Sequence, residues 1–350
     1  MTATTQAPWT MAVGPWNTGP VVAVANARGR QFNFQVDDSS KFTFTLNGND
    51  TVFQYITELV TDVWVYRYGQ LFWRGRIGAT SDAIDEQSNV VTLNCFDYRE
   101  WLGRQILGPG ATLSWRAQTS AKVINDMLVW ILGRPGLQPQ LTLDASGLPT
   151  STINFDTLVG GTVKDVVASM NGFGWQVIPV SQLGLNLKAV SPFYYRRNDV
   201  FVMEYGGAVA QVARSLDTGN FADSVFASGD MALAPIVQDA TGIATAPQGR
   251  IMAAASDPSI VDHSHLVAFA NQQATNMQLV AAAWTCVLKK GVWINQADAW
   301  VGDIIKFIVK SGRININDNY RITQMDLTLS DDGADHQVNL TLVKPPFMPY

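Results

Sequence analysis

Asp262-His263-Ser264-His265 is the densest group of metal-capable side chains in the sequence. A His-x-His pair can bind zinc when a carboxylate lies nearby. Here the run stands at a predicted helix start, where Asp and Ser are ordinary caps, and capping is the reading adopted. The chain has 3 histidines, so a three-His site would require His336 to fold beside the pair. His336 adjoins the acidic run Asp331-Asp332-Gly333-Ala334-Asp335. Its oxygens suit calcium, but the spacing matches no known calcium loop, and it reads as a turn between strands. Asp97 and Glu100 are the kind of carboxylate pair that glycoside hydrolysis uses, yet nothing in their spacing separates them from other pairs. Gly172-Phe173-Gly174 follows a predicted helix and reads as its stop. GxSxG, HExxH, Walker A and GxGxxG are absent. No catalytic residue, cofactor or metal is expected, and the chain does not read as an enzyme.

Composition points the same way. Of 350 residues 47% are hydrophobic and only 15% are charged, against about 25% in an average soluble protein. A surface so poor in charge suits coverage by other subunits; a polar, uncharged surface is the alternative. Net charge is −5, and the longest basic run is Arg196-Arg197. Tight nucleic-acid binding needs many Lys and Arg phosphate contacts, which excludes a strong DNA binder but not a passage through which DNA slides. The 2 cysteines, Cys95 and Cys286, lie far apart in apolar segments and imply neither a disulfide framework nor a thiolate metal site. No signal peptide is read at the N-terminus, and no run is apolar enough for a membrane span. The 11 Trp residues read as core and interface, with a sugar-binding platform as the alternative.

The elements that would position these residues are mostly strands. Residues 1–20 carry Pro8, Pro15 and Pro20 around Trp9 and Trp16 and read as an extended arm. Arg28–Phe34 and Lys41–Leu46 alternate with period two, as half-buried strands do. Residues 21–108 form a first β-module. Residues 109–198 form an α+β insertion. It contains a helix over Ser120–Leu132 stopped by Gly133 and Pro135, a helix starting at Thr162, and a hairpin Trp175–Val180 with Leu185–Val190. Residues 199–262 give weak periodicity beyond a strand at Val200–Tyr205. Residues 263–344 read as a helix of about His265–Trp284 followed by a second β-module, and 345–350 as a tail.

One pattern occurs twice. Thr61-Asp62-Val63 opens a strand, Leu71–Ile77 makes a second, an acidic turn follows (Asp82, Asp85, Glu86), and Val90–Leu93 makes a third. Gly302-Asp303-Ile304, Tyr320–Met325, Asp331-Asp332-Asp335 and Val338–Leu342 repeat it. Each copy reads as a three-stranded meander, and two such modules in one subunit suit a pseudo-symmetric ring.

The run Trp73-Arg74-Gly75-Arg76-Ile77 with Tyr98-Arg99-Glu100-Trp101-Leu102 is similar to the first module of tail hub proteins of long-tailed bacteriophages. The helix ending near Trp284, Gly302-Asp303-Ile304-Ile305 and Tyr320-Arg321-Ile322 are similar to their second. The ordered set spans most of the chain and also resembles minor tail proteins of phages that infect actinobacteria. The resemblance implies a mainly β fold with α+β insertions and two tail-tube-like β-barrel or sandwich modules related by an internal repeat. It implies a structural virion protein at the tail tip, assembled in the host cytoplasm. Three copies would continue a six-fold tube and adapt it to three-fold symmetry. Implied partners are further copies of itself as a homotrimer, the distal tail or tail tube protein, the tape-measure protein, other tail-tip proteins, and DNA in transit only. Residues 206–260 match no pattern of that family, and no appended hydrolase or receptor-binding domain follows the second module. Trp9, Trp16, Trp73, Arg74, Arg76 and Arg321 are the candidate interface residues. Two other functions remain open: a carbohydrate-binding β-module that attaches to host cell-wall glycan, and a peptidoglycan-degrading tail enzyme.

Overall fold

The structure is a computed structural model that describes residues 8–36, 38–84, 89–105, 115–134, 138–147, 152–155, 174–190, 197–217, 222–239, 251–258, 260–277, 281–290, 292–294 and 299–344. It is mainly β. The chain divides into two units, Met1–Gln211 with Val287–Leu340, and Val212–Cys286 with Thr341–Tyr350.

The larger unit begins with β1 (Trp9–Pro15), β2 (Val22–Ala23), β3 (Arg28–Gln35), β4 (Lys41–Asn47), β5 (Thr61–Arg67), β6 (Gln70–Ile84) and β7 (Asn89–Phe96). Their hydrogen-bonded order is β2-β1-β5-β6-β7-β4-β3. Alternation drives it: Phe42, Phe44 and Leu46 of β4 are buried while Lys41 and Asn47 are exposed. Phe32 of β3 stacks on Phe42 at 4.2 Å and lies 5.8 Å from Trp73 of β6, so aromatic rings fill the core. Within the expected arm Trp9–Pro15 is a strand, and residues 1–7 lie outside the described residues. Trp9, Met11 and Val13 alternate inward, and β1 pairs antiparallel with β5 from Trp9–Arg67 to Pro15–Thr61. Pro8 and Pro15 bound that strand and do not interrupt it.

α1 (Tyr98–Gly103) follows β7, capped by the Asp97 side chain. The insertion contains β8 (Trp115–Thr119), α2 (Ser120–Leu132), β9 (Gln140–Gly147), β10 (Thr152–Phe155), β11 (Gly174–Pro179) and β12 (Gly184–Val190). α2 stands where its apolar stripe places it, between the Thr119 cap and Gly133. Val123, Ile124, Met127, Leu128 and Ile131 pack with Leu185 and Leu187 of β12 and with Tyr98 and Leu102 of α1. β12 pairs antiparallel with β11 and parallel with β9. The helix expected from Thr162 lies outside the described residues.

The second set is β13 (Arg197–Glu204), β14 (Val209–Asp217), β18 (Ala281–Leu288), β19 (Ile304–Ser311), β20 (Ile314–Leu329) and β21 (His336–Val343). β19-β20-β21 repeats the meander β5-β6-β7, with β13 outside β19 as β1 is outside β5. The ends of β21, β18 and β14 that belong to the larger unit continue the order β20-β21-β18-β14, as β6-β7-β4-β3 does in the first set. One direction differs: β13 runs parallel to β19, whereas β1 is antiparallel to β5. Both meanders open on a two-residue hairpin loop, Tyr68-Gly69 and Gly312-Arg313. Gly69 has φ +76 and Gly312 φ +56, a region costly for side chains with a Cβ. The two sets join where β20 pairs antiparallel with β3, from Gln324–Gln35 to Thr328–Gln31.

The smaller unit contains β15 (Ser224–Ser228), β16 (Ile236–Asp239), β17 (Met252–Ser256) and α3 (His263–Met277). β15 lies between β16 and β17. Leu266, Ala270 and Ala274 of α3 cover Val225 and Ala227 of β15. α3 ends at Met277, short of the expected Trp284, and Ala281–Leu288 is strand β18. Trp284, Cys286 and Leu288 are buried with Thr285 exposed between them, a period of two that the alanines before them concealed.

Candidate functional site

The most concentrated polar site of the larger unit is built by β5, β6 and α1. Asp62 is the second residue of β5, just before its apolar run, and β5 pairs with β6 so that Asp62 faces Arg76 and Trp64 faces Arg74. Arg74 Nε donates to Asp62 Oδ2 at 2.8 Å and Arg76 Nε to Oδ1 at 3.3 Å. Tyr98 Oη, from the first turn of α1, donates to Asp62 Oδ2 at 2.6 Å. The phenol oxygen in turn accepts from Arg74 Nη2 at 3.2 Å and Arg76 Nη2 at 3.0 Å. Asp62 is fully buried and Arg74 is 2% exposed.

The electrostatics keep the phenol protonated. Burial pushes the Tyr98 hydroxyl well above its ordinary range, and the Asp62 carboxylate adds to the shift. Burial also raises Asp62, while Arg74, Tyr98 and Arg76 pull it back towards ionisation. A buried carboxylate is tolerated when it is paired and hydrogen-bonded, as here. The cluster can fasten segments together but has no activated nucleophile.

What it fastens is visible in the remaining donors. Arg74 Nη1 donates to Leu183 O at 2.7 Å and Arg74 Nη2 to Trp16 O at 2.6 Å. Trp64 Nε1 donates to Gln182 O at 2.8 Å. The hairpin turn of the insertion, the segment after β1 and the start of α1 therefore meet on one arginine. Arg76 lies 5.0 Å from the Trp16 ring centre.

A second cluster ties β1 to the second set. Trp9 packs edge-on against Phe72 at 5.1 Å and Trp293 at 5.4 Å. The Arg67 guanidinium lies 3.8 Å from the Trp293 ring centre, a cation–π contact. Trp9 N donates to Gly333 O of the acidic turn at 3.2 Å. His336 stands against Trp293 at 5.3 Å, and its Nε2 is 3.3 Å from Val292 O. Burial lowers the His336 pKa.

The other sequence candidates find structural partners. Asp262 Oδ1 accepts from Ser264 N at 2.8 Å and His265 N at 3.1 Å, the geometry of a helix cap. In the acidic turn, Asp331 accepts from Gly29 N at 3.0 Å, Asp332 from Ala334 N at 2.9 Å, and Asp335 pairs with Lys290 at 2.8 Å. Arg30 Nη2 donates to Ser330 O, and to Asp331 O at 2.8 Å. The matching residues Asp85 and Glu86 of the first turn lie outside the described residues. Asp97 accepts from Ser40 N at 2.8 Å and Arg99 N at 2.9 Å, and Glu100 pairs with Arg104 at 3.0 Å.

Of the six candidate interface residues, Trp9, Trp73, Arg74 and Arg76 are buried within the chain, and Trp16 and Arg321 are half-buried. Trp73 Nε1 donates to Ser40 Oγ at 2.9 Å and Arg321 Nε to Gly302 O at 3.2 Å. Among the Trp residues whose burial is described, none is exposed. Sequence reasoning did not select Asp62 or Tyr98 as site residues. The signal available was a lone acid in an apolar strand, far from either arginine in sequence but opposite Arg76 in the hairpin, with Arg74 next along on the same face. Among the described residues, no group of three or more His, Cys, Asp or Glu suits a metal, and no helix is long and apolar enough to cross a membrane.

Comparison with solved structures shows what this architecture is. The chain superposes on a tail protein from Neisseria meningitidis MC58 with TM-score 0.65 at 15% identity, covering 96% of each chain. The chain has the fold of a phage tail protein. The 43 kDa tail protein of prophage MuSo2 from Shewanella oneidensis gives TM-score 0.68 at 10% identity, covering 96% of this chain and 98% of that one. Prophage tail protein gp18 from Listeria monocytogenes EGD-e gives 0.59 at 12% identity, covering 97% and 95%. No protein-family model matches the sequence. No curated protein matches it either. At such identities the likeness is one of fold.

Proposed function

We propose that this chain is a structural hub of a phage tail tip. Three copies continue the tail tube and adapt six-fold to three-fold symmetry around a channel for tape-measure protein and DNA. The observation that supports this reading most is the strand order that occurs twice in one polypeptide, β1-β5-β6-β7-β4-β3 and β13-β19-β20-β21-β18-β14. A subunit with two equivalent modules supplies six modules to a three-fold ring. The Asp62 cluster serves that role by fastening the first set to the insertion and α1, and the Trp9 cluster by fastening β1 to the second set. The low charge of the chain, 15%, suits a surface that other subunits cover. The distal tail or tube protein lies on one side of the ring and other tail-tip proteins on the other. The protein is a part of the virion and performs no catalysis.

The test is assembly. Light scattering of the purified chain, alone and mixed with tail tubes, gives a trimer or a trimer seated on tube ends, and electron microscopy gives a ring there. A chain that stays monomeric under both conditions and decorates no tube end refutes the reading.

A further inference from the structure

The joint between the two strand sets inside the chain predicts the joint between chains. β20 is divided by an extra residue. Tyr320 and Ile322 are buried before it, and Met325, Leu327 and Leu329 after it, so the inward side chains change from even to odd numbers. A β-bulge produces this shift. On one edge of β20, Ile322 N bonds the last residue before β19, Asp303 O, at 3.0 Å. The next carbonyl, Thr323 O, accepts from Val36 N just beyond β3 at 3.0 Å. β19 therefore occupies the first half of that edge and β3, from the other set, the second half.

β6 has the same construction. Its register against β7 shifts between Ile77 and Ala79. β5 occupies the first half of the corresponding edge, to Arg76. Leu59 N reaches Ile77 O at 2.8 Å, and beyond it no strand pairs with that edge among the described residues. The orientation of the open groups follows from the ladder. Gly48 N donates to Asn89 O, so the odd residues of β7 face β4 and the even ones face β6. Asn94, Thr92 and Val90 pair with Ala79, Ser81 and Ala83. The backbone N–H and C=O groups of Thr80, Asp82 and Ile84 then point away from β7, along the open edge. Ala79 and Ser81–Ile84 are exposed, Ile84 at 75%. The segment has no Lys and no Pro, and Asp82 is its one charge.

We infer that this half of β6 receives strand β14 of a second copy of the chain. The occupant is set by correspondence. β14 stands in the second set where β3 stands in the first, at the end of the strand order. β3 itself is excluded, because its outer edge already holds β20. Ala210, Gln211, Ala213, Arg214 and Ser215 of β14 are exposed. The β6–β14 joint between copies thus repeats the β20–β3 joint within a copy, head to tail. A heterologous contact of this kind closes into a ring when its rotation divides the circle. The inference rests on the trimeric reading above and names the edge that builds it.

One proline variant, three paired-cysteine variants and the unaltered chain test it. Asp82→Pro removes an N–H that makes no bond among the described residues, so its circular dichroism and urea midpoint match those of the unaltered protein while trimer and tube-end binding are lost. Ser81→Cys combined in turn with Ala210→Cys, Ala213→Cys and Ser215→Cys gives, in at least one combination, an oxidation-dependent ladder of covalent dimer and trimer that no single-cysteine variant gives. If the unaltered chain assembles but Asp82→Pro also assembles and no combination cross-links, this joint is wrong and the hub reading stands. If the unaltered chain never assembles, alone or on tubes, both fail together.

Discussion

Asp97 shows what burial does to one carboxyl. Desolvation pushes its pKa up to about 6 from 3.8, against the bonds from Ser40 and Arg99 that favour ionisation. The folded state therefore binds this proton more tightly than the unfolded one. Above about pH 6 the group is ionised in both states and its burial opposes folding; between about pH 6 and 4 the folded state alone takes up the proton, so stability from this group rises as pH falls. A two-unit difference corresponds to about 3 kcal/mol. Urea midpoints from pH 7 to 4 should show the unaltered protein gaining about that much relative to Asp97→Asn, which cannot ionise. A difference that stays constant with pH would mean that Asp97 keeps its charge throughout. Arg74 makes the contrasting case, since its partners leave no slack. Arg74→Ala leaves Asp62 buried with a weaker counter-charge and is expected to cost about 3–5 kcal/mol. Lys41→Ala, which removes a solvent-exposed pair with Asp38 at 3.6 Å, should cost no more than about 1 kcal/mol. Chemical denaturation of both variants checks the ranking.

Hairpins set the register of both meanders, and their turns rest on backbone conformation. A Cβ at Gly69 or Gly312 meets nothing within 4 Å, so only the positive φ resists it. Gly69→Ala and Gly312→Ala should each cost about 1–2 kcal/mol, read from the urea midpoint, and similar losses at the two sites would agree with equivalent turns. Gly78→Ala differs in kind, because its Cβ would lie 2.2 Å from the Phe96 ring. The elements that sequence reading located share strong local signals. α2 has an apolar stripe between Thr119 and Gly133, and β3 and β4 alternate aromatic with polar residues. The elements it missed lack them. β15 to β17 are short, and β17 is Met-Ala-Ala-Ala-Ser, in which small side chains blur any period. β18 follows α3 through alanines that suit either state, and the burial of Trp284 in a strand was decided by its neighbours in space.

Across the whole molecule, the repeat is the feature on which the hub proposal rests. A single barrel-like module needs six copies to make a six-fold ring, whereas a doubled one needs three, and the doubling leaves the two halves of the chain free to diverge in their insertions. The two halves differ in their insertions: the α2 insertion follows the first set's α1, and in chain order the α3 unit comes between β14 and β18 of the second. The amino-acid sequence by itself determined the mainly β class, the two meanders and the absence of familiar catalytic motifs, because hydrophobic alternation and turn residues are local properties that survive in a linear reading. It also held the residues of the Asp62 cluster, but not their meeting. Asp62, Arg74 and Tyr98 come together only when β5 pairs with β6 and α1 folds back, and Leu183 arrives from a hairpin more than a hundred positions away. The fate of Trp9 and of the arginines was decided in the same way. A side chain's exposure depends on what packs over it from distant segments, and spacing along the chain carries no record of that.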